Sequence, residues 1–160
     1  MERNTGIWNC ASRNWKPKLS ISIACLAGYF LHVGFYAGCP WWNHIAYSFC
    51  HANVFHLTVN LMVLWGIRNK MSALLAFIVA VAASFLPMYV GDSTMGLSGF
   101  LFAVFGIMWG KTGRWLEASK KAMPFILITM LIPNVNGLLH LYAFIIGYFV
   151  GFLLNMFHKF

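Results

Sequence analysis

Apolar residues fall in long runs separated by short polar stretches, and that pattern limits this chain more than any single motif. The runs are residues 19–38, 51–67, 71–90, 98–110, 122–132 and 137–157. Of 160 residues, 61% are hydrophobic and only 9% are charged, where soluble domains carry about 25%. The first run has enough residues to cross a hydrocarbon core of about 30 Å as a helix. It exceeds the apolar core of a signal peptide, about 7–15 residues. Tyr36-Ala37-Gly38-Cys39 only faintly resembles a lipoprotein cleavage box. Six such runs predict an all-α membrane protein: a six-span bundle over residues 19–157, with tails at 1–18 and 158–160.

The net charge of +8 raises the question of nucleic acid, and its distribution answers it. All eleven lysines and arginines lie in the two tails or in the stretches after the second and fourth runs. The stretches after the first, third and fifth runs hold none. That asymmetry is the positive-inside signature of membrane topology. It predicts an integral multi-pass protein with both termini in the cytoplasm and no nucleic-acid partner. The four cysteines show no C-x-x-C spacing, which argues against a metal or redox motif. Cys39 and Cys50 flank one short loop, a spacing that permits a disulfide; free thiols packed against apolar neighbours are the alternative.

Polar side chains inside apolar runs are costly and tend to mark function or inter-helix hydrogen bonds. Four stand out: His56, Asn60, Ser98 and His140. Ser98 opens a short run, 98–110, within Gly96-Leu97-Ser98-Gly99. Lys111 lies thirteen residues further on, about 20 Å along a helix, so the fourth helix is expected to start inside the membrane. Gly106 and Gly110 are spaced by four, as are Ala143, Gly147 and Gly151. Small residues at that spacing let two helices approach closely, which predicts that the fourth and sixth runs pack together and bring Ser98 beside His140. Packing glycines with no site attached are the plainer reading.

A serine hydroxyl needs a base to take its proton, and histidine suits that task near neutrality. No Asp or Glu lies within a run; Asp92 falls in the loop before Ser98, and Glu2 and Glu117 fall in basic stretches. The arrangement therefore predicts a Ser98–His140 dyad without an acid. Backbone N–H groups at the start of a helix suit a developing oxyanion. His56 and Asn60, four apart on one helix face, add two side-chain donors. His51 lies on roughly the opposite face and is expected to fix the loop. No residue set suggests a cofactor or a metal.

These residues resemble the rhomboid family of intramembrane serine proteases. HANVFHLTVN (His51, His56, Asn60) matches the family's histidine, histidine and asparagine spacing. GLSG (Gly96 to Gly99) matches its nucleophile motif, and His140 with Gly147 matches its dyad histidine and the glycine seven residues later. The resemblance covers nearly the whole chain from Leu19 and is closest to the minimal prokaryotic form. It implies a serine endopeptidase of a prokaryotic plasma membrane that cuts transmembrane protein substrates near their outer end. It further implies an oxyanion site at His56, Asn60 and the backbone near Ser98, with His51 in support. It implies no cofactor, and the fifth run acting as a gate. Four positions depart from the family: Asn43 after Trp42, Phe102, Leu139 and Ala143. A catalytically silent relative that binds membrane partners is the alternative, although such relatives usually lack the dyad. A channel would need a polar stripe through the bundle, which the clustering of polar residues toward one end does not provide.

Overall fold

A computed structural model describes residues 15–68, 71–86, 93–132 and 135–157. Seven helices occur among them: α1 Trp15–Gly28, α2 Asn43–Ala46, α3 Val54–Gly66, α4 Ala73–Ser84, α5 Ser98–Gly110, α6 Trp115–Leu131 and α7 Gly137–Phe157. Among the described residues the extended pairing is an isolated antiparallel bridge between Phe35 and Thr94. Pro87, whose residue type predicts a kink near the end of the third run, lies outside the described residues, as do the loop position of Asp92, most of the tail 1–18 and the tail 158–160. Trp15 to Lys18 are not tail: they form the first turn of α1.

The expectation of six membrane spans is overturned, and with it the multi-pass localisation. Among the described residues only α7 is long and apolar enough to cross a membrane. Its 21 residues extend about 31 Å, against a core of about 30 Å. Helices α1, α3, α4 and α5 have 14, 13, 12 and 13 residues, or about 18–21 Å each. Helix α6 has 17 residues and carries Glu117, Lys120 and Lys121 in its first half.

The apolar runs misled because apolar composition does not distinguish helix from turn. Helix α1 stops at Gly28, ten residues before its run ends. The Gly28 backbone lies against Phe49, whose carbonyl oxygen would be 2.6 Å from any Cβ there. Beyond it His32 takes a positive φ of 48°, and Phe35 leaves to pair with Thr94. Helix α3 starts late because Asn53 caps it, its side chain accepting the His56 N–H at 2.8 Å, a favoured N-cap arrangement. Helix α6 starts early, absorbing much of the expected basic loop after a turn with Gly113 at φ 69°.

Helices α5 and α7 keep the bounds of the fourth and sixth runs, and they meet through glycine. A Cβ at Gly106 would lie 2.3 Å from the Phe144 carbonyl oxygen, and one at Gly110 2.1 Å from that of Tyr148. In return, Gly147 faces the Ala103 carbonyl at 2.6 Å and Gly151 that of Ile107 at 2.2 Å. Contacts advance together along both helices, so the two run in the same direction with their N-termini side by side. Around them Leu64, Ala76, Ala80, Leu101, Ala103, Val104 and Ala143 are buried in one core.

The two ends of this assembly differ in character. At one end the buried Lys18 donates to the carbonyls of Trp65 and Ile67, where α3 terminates. Lys111 lies at the same end, beside Met71 and Ser72 around a cavity of about 140 Å³. The opposite end holds the Phe35–Thr94 bridge and the start of α5. Cys39 and Cys50 are free thiols there. Cys39 contacts the His44 imidazole at 3.6 Å instead of a second sulfur.

The glycine contacts make a sharp prediction. Gly151→Val places a side chain where the Ile107 backbone already lies and is expected to destabilise the fold by about 1–3 kcal/mol. Gly66→Ala, where no atom lies within 4 Å, is expected to stay within about 0.5 kcal/mol. Denaturant unfolding of both variants in detergent checks the pair, and equal stability would refute the packing.

Candidate active site

The site begins at the loop before α5. Gly96 has φ 128°, a conformation open to glycine and strained for other residues. Its N–H donates to the Tyr47 carbonyl at 2.8 Å. The next N–H, of Leu97, donates to His51 Nε2 at 3.4 Å. His51 is fully buried, and its Nδ1 lies 3.3 Å from the Phe49 carbonyl. An imidazole that accepts at one nitrogen and donates at the other is neutral. His51 therefore ties the loop before α5 to the segment before α3.

Gly96 is also where the α3 side chains arrive. A Cβ at Gly96 would lie 2.6 Å from His56 Cε1 and 3.5 Å from Asn60 Nδ2. His56 is half-buried, and its ring meets that of His51 edge-on at 5.3 Å. Asn60 is buried, and its Nδ2 makes no hydrogen bond among the described residues. A buried amide donor without an acceptor is uncommon and costly. Here it lies beside the turn that leads into Ser98. The neighbour of Gly99 is different: a Cβ there would meet the Tyr47 hydroxyl at 2.9 Å and Leu139 at 3.1 Å. Both glycines thus make room for the protein's own side chains.

Ser98 is the first residue of α5 and is half-buried. Its Oγ lies 2.8 Å from Nε2 of His140, which is 3% exposed in the first turn of α7. The parallel α5–α7 contact explains the meeting, since both residues sit at N-termini that the glycines hold together. Phe102, one turn below Ser98, stacks on the His140 ring at 4.6 Å and 21°. It fills the position where the rhomboid pattern, which the sequence resembles, usually has tyrosine. Leu139 packs on Gly99 and Ala143 is buried in the α5–α7 core. Asn43, the other departure, donates its amide to the Gly34 carbonyl at 2.7 Å and so holds the first loop.

Three polar residues escaped the sequence reading. Thr129 of α6 places its Oγ1 2.9 Å from His140 Nδ1 and donates its own proton to the Ile126 carbonyl at 2.7 Å. Asn136 caps α7 by accepting the Leu139 N–H at 3.0 Å. The Asn136 amide donates to Thr94 Oγ1, also at 3.0 Å. Thr129 was findable: it is a hydroxyl inside the fifth apolar run, eleven residues before His140. Asn136 and Thr94 sit in loops, where sequence spacing says nothing about their meeting. Among the described residues no group of three His, Cys, Asp or Glu side chains is placed to hold a metal ion.

The crowding at Gly96 can be tested directly. Gly96→Ala is expected to lower stability by about 1–3 kcal/mol from backbone strain and to push the His56 ring off the loop. Thermal unfolding and the His56 ring NMR signals measure the two effects, and an unchanged variant would refute the geometry. No protein-family model matches the chain, and no curated protein matches it.

Proposed function

We propose that this chain is a rhomboid-type serine endopeptidase that works at a membrane. The observation that carries the proposal is the 2.8 Å contact between Ser98 Oγ and His140 Nε2. A nucleophile and base within hydrogen-bond reach are the signature of covalent catalysis. The proposal takes its site from the family resemblance and not its six spans.

The proposed reaction uses the Ser98–His140 contact. Ser98 Oγ attacks the carbonyl carbon of the scissile peptide bond while its proton passes to His140 Nε2. The carbonyl oxygen gains the negative charge. Its candidate donors are Asn60 Nδ2, His56 and the N–H groups opening α5, which have no acceptor within their own helix. His140 then gives its proton to the leaving amine, and an acyl ester on Ser98 remains. Water attacks the ester, its proton goes to His140, and the new carboxyl group leaves as Ser98 is reprotonated.

The proposed substrate is a membrane-spanning protein, and the proposed setting is a lipid bilayer. Supporting this, large apolar side chains line the exterior: Phe30, Phe55, Leu74, Leu131 and Phe157 are all strongly exposed. Large apolar side chains exposed in this number favour contact with membrane or protein over water. Helix α7 supplies one candidate span. The basic end of the fold, with Lys111, Arg114, Lys120 and Lys121, is proposed to face the cytoplasmic leaflet of a prokaryotic plasma membrane, whose anionic lipids attract such residues.

Purified protein in lipid vesicles with a model transmembrane substrate tests the proposal. Wild type is expected to cleave it, and Ser98→Ala to leave it intact. Asn60→Ala is expected to lower kcat by about 10²–10³, as loss of one oxyanion donor does. Equal cleavage by wild type and Ser98→Ala overturns the proposal.

A further inference from the structure

We infer that Thr129 is a positioning residue that sets the proton on His140 so that its Nε2 can act as a base; the inference deepens the hydrolase reading above and rests on it. An imidazole can take a proton from serine only if the nitrogen facing the serine carries a lone pair. Neutral histidine has one such nitrogen, and the other must hold the ring proton. Which nitrogen holds it depends on the bond made by the far one.

The hydrogen bonds around Thr129 decide the matter. A threonine hydroxyl has one proton and two lone pairs. Thr129 spends its proton on the Ile126 carbonyl three residues back, at 2.7 Å, a bond that threonine in a helix readily makes. Only lone pairs then face His140 Nδ1 at 2.9 Å. Nδ1 must therefore be the protonated nitrogen, donating to Thr129. Nε2 is left with its lone pair, 2.8 Å from Ser98 Oγ, and accepts the serine proton. In the opposite tautomer, lone pairs would face each other at Nδ1, and the serine hydroxyl would accept from Nε2 instead of donating. His140 is almost wholly buried, so solvent does not offer Nδ1 an equivalent partner. Phe102, stacked on one ring face, holds the plane in which both bonds lie.

Thr129 thus does for this histidine what a carboxylate does in a three-residue triad, without a charge. Helix α6 enters the site through it, although no side chain of α6 touches the serine in the hydrogen bonds described. Loss of a far-side carboxylate, which leaves the wrong tautomer, costs about 10⁴ in kcat. A neutral acceptor is expected to matter less, about tenfold to hundredfold.

The test uses full-length protein labelled with ¹⁵N-histidine in detergent micelles. The ring nitrogen shifts of His140 report its tautomer, and the rate of Ser98 labelling by a fluorophosphonate probe reports nucleophilicity. Wild type and Thr129→Ser are expected to show the Nδ1–H form and similar labelling rates. Thr129→Val is expected to lose the single Nδ1–H form and label about tenfold to hundredfold more slowly; Thr129→Ala asks the same question should the valine variant not fold. Both hydroxyl-less variants keeping the Nδ1–H form and labelling within twofold of wild type would overturn the inference. A folding role alone would lower the labelled fraction and leave the tautomer unchanged, which also overturns it. A tautomer change with no labelling in any form, wild type included, would uphold the role of Thr129 and overturn the hydrolase reading instead.

Discussion

Backbone meets backbone between α5 and α7, and everything else about the site depends on that contact. Carbonyl oxygens of Ala103, Ile107, Phe144 and Tyr148 lie where a Cβ on the facing helix would be. Only glycine at positions 106, 110, 147 and 151 allows it. Close approach gains many small dispersion contacts along two helices. It also fixes the sliding register, because each carbonyl has one gap to fill. A shift of one residue would present Phe105, Ile107 or Tyr148 to backbone and force the helices apart. With that register set, the N-termini coincide and Ser98 falls opposite His140.

The remaining elements act on this pair from its flanks. Helix α3 brings His56 and Asn60 to Gly96, and the loop before α3 brings His51 to the Leu97 N–H. Helix α6 brings Thr129 to the far side of the histidine. Each of these contacts reaches the α5–α7 core from a different direction. Polar groups in such a network are worth more together than singly, because a half-satisfied network leaves buried partners exposed to loss. The Asn60 amide is the exception, a buried donor without an acceptor among the described residues.

The glycine spacing and GLSG made the centre of the site readable from the sequence. Gly106, Gly110, Gly147 and Gly151 are helix-periodic and short-range, so a residue count suffices to align two helices. His56 and Asn60 were readable for the same reason, being four apart on one helix. The membrane architecture was misread because apolar run length and charge distribution do not report where a helix stops. Residues 29–38 are as apolar as a helix but form a turn and a bridge, held by Gly28 against Phe49 and by Asn43 on the Gly34 carbonyl. Those partners lie across loops, and no periodicity announces them. Thr129 was missed for a related reason: its effect passes through a hydrogen bond between two helices, which spacing along the chain does not register.

Thr94 touches three parts of the chain at once. Its backbone pairs with Phe35 in both directions, and its hydroxyl accepts from Asn136, which caps the helix of His140. Thr94 also lies four residues ahead of Ser98. The segments that carry the serine and the histidine are therefore clasped upstream of both, independently of the bond between them. Opening of one segment releases the other, so the pair belongs to one cooperative unit with the N-terminal loop. Local fluctuations of that end should dismantle the pair as a whole and not stretch it, leaving two populations, assembled and apart, with few intermediates between them.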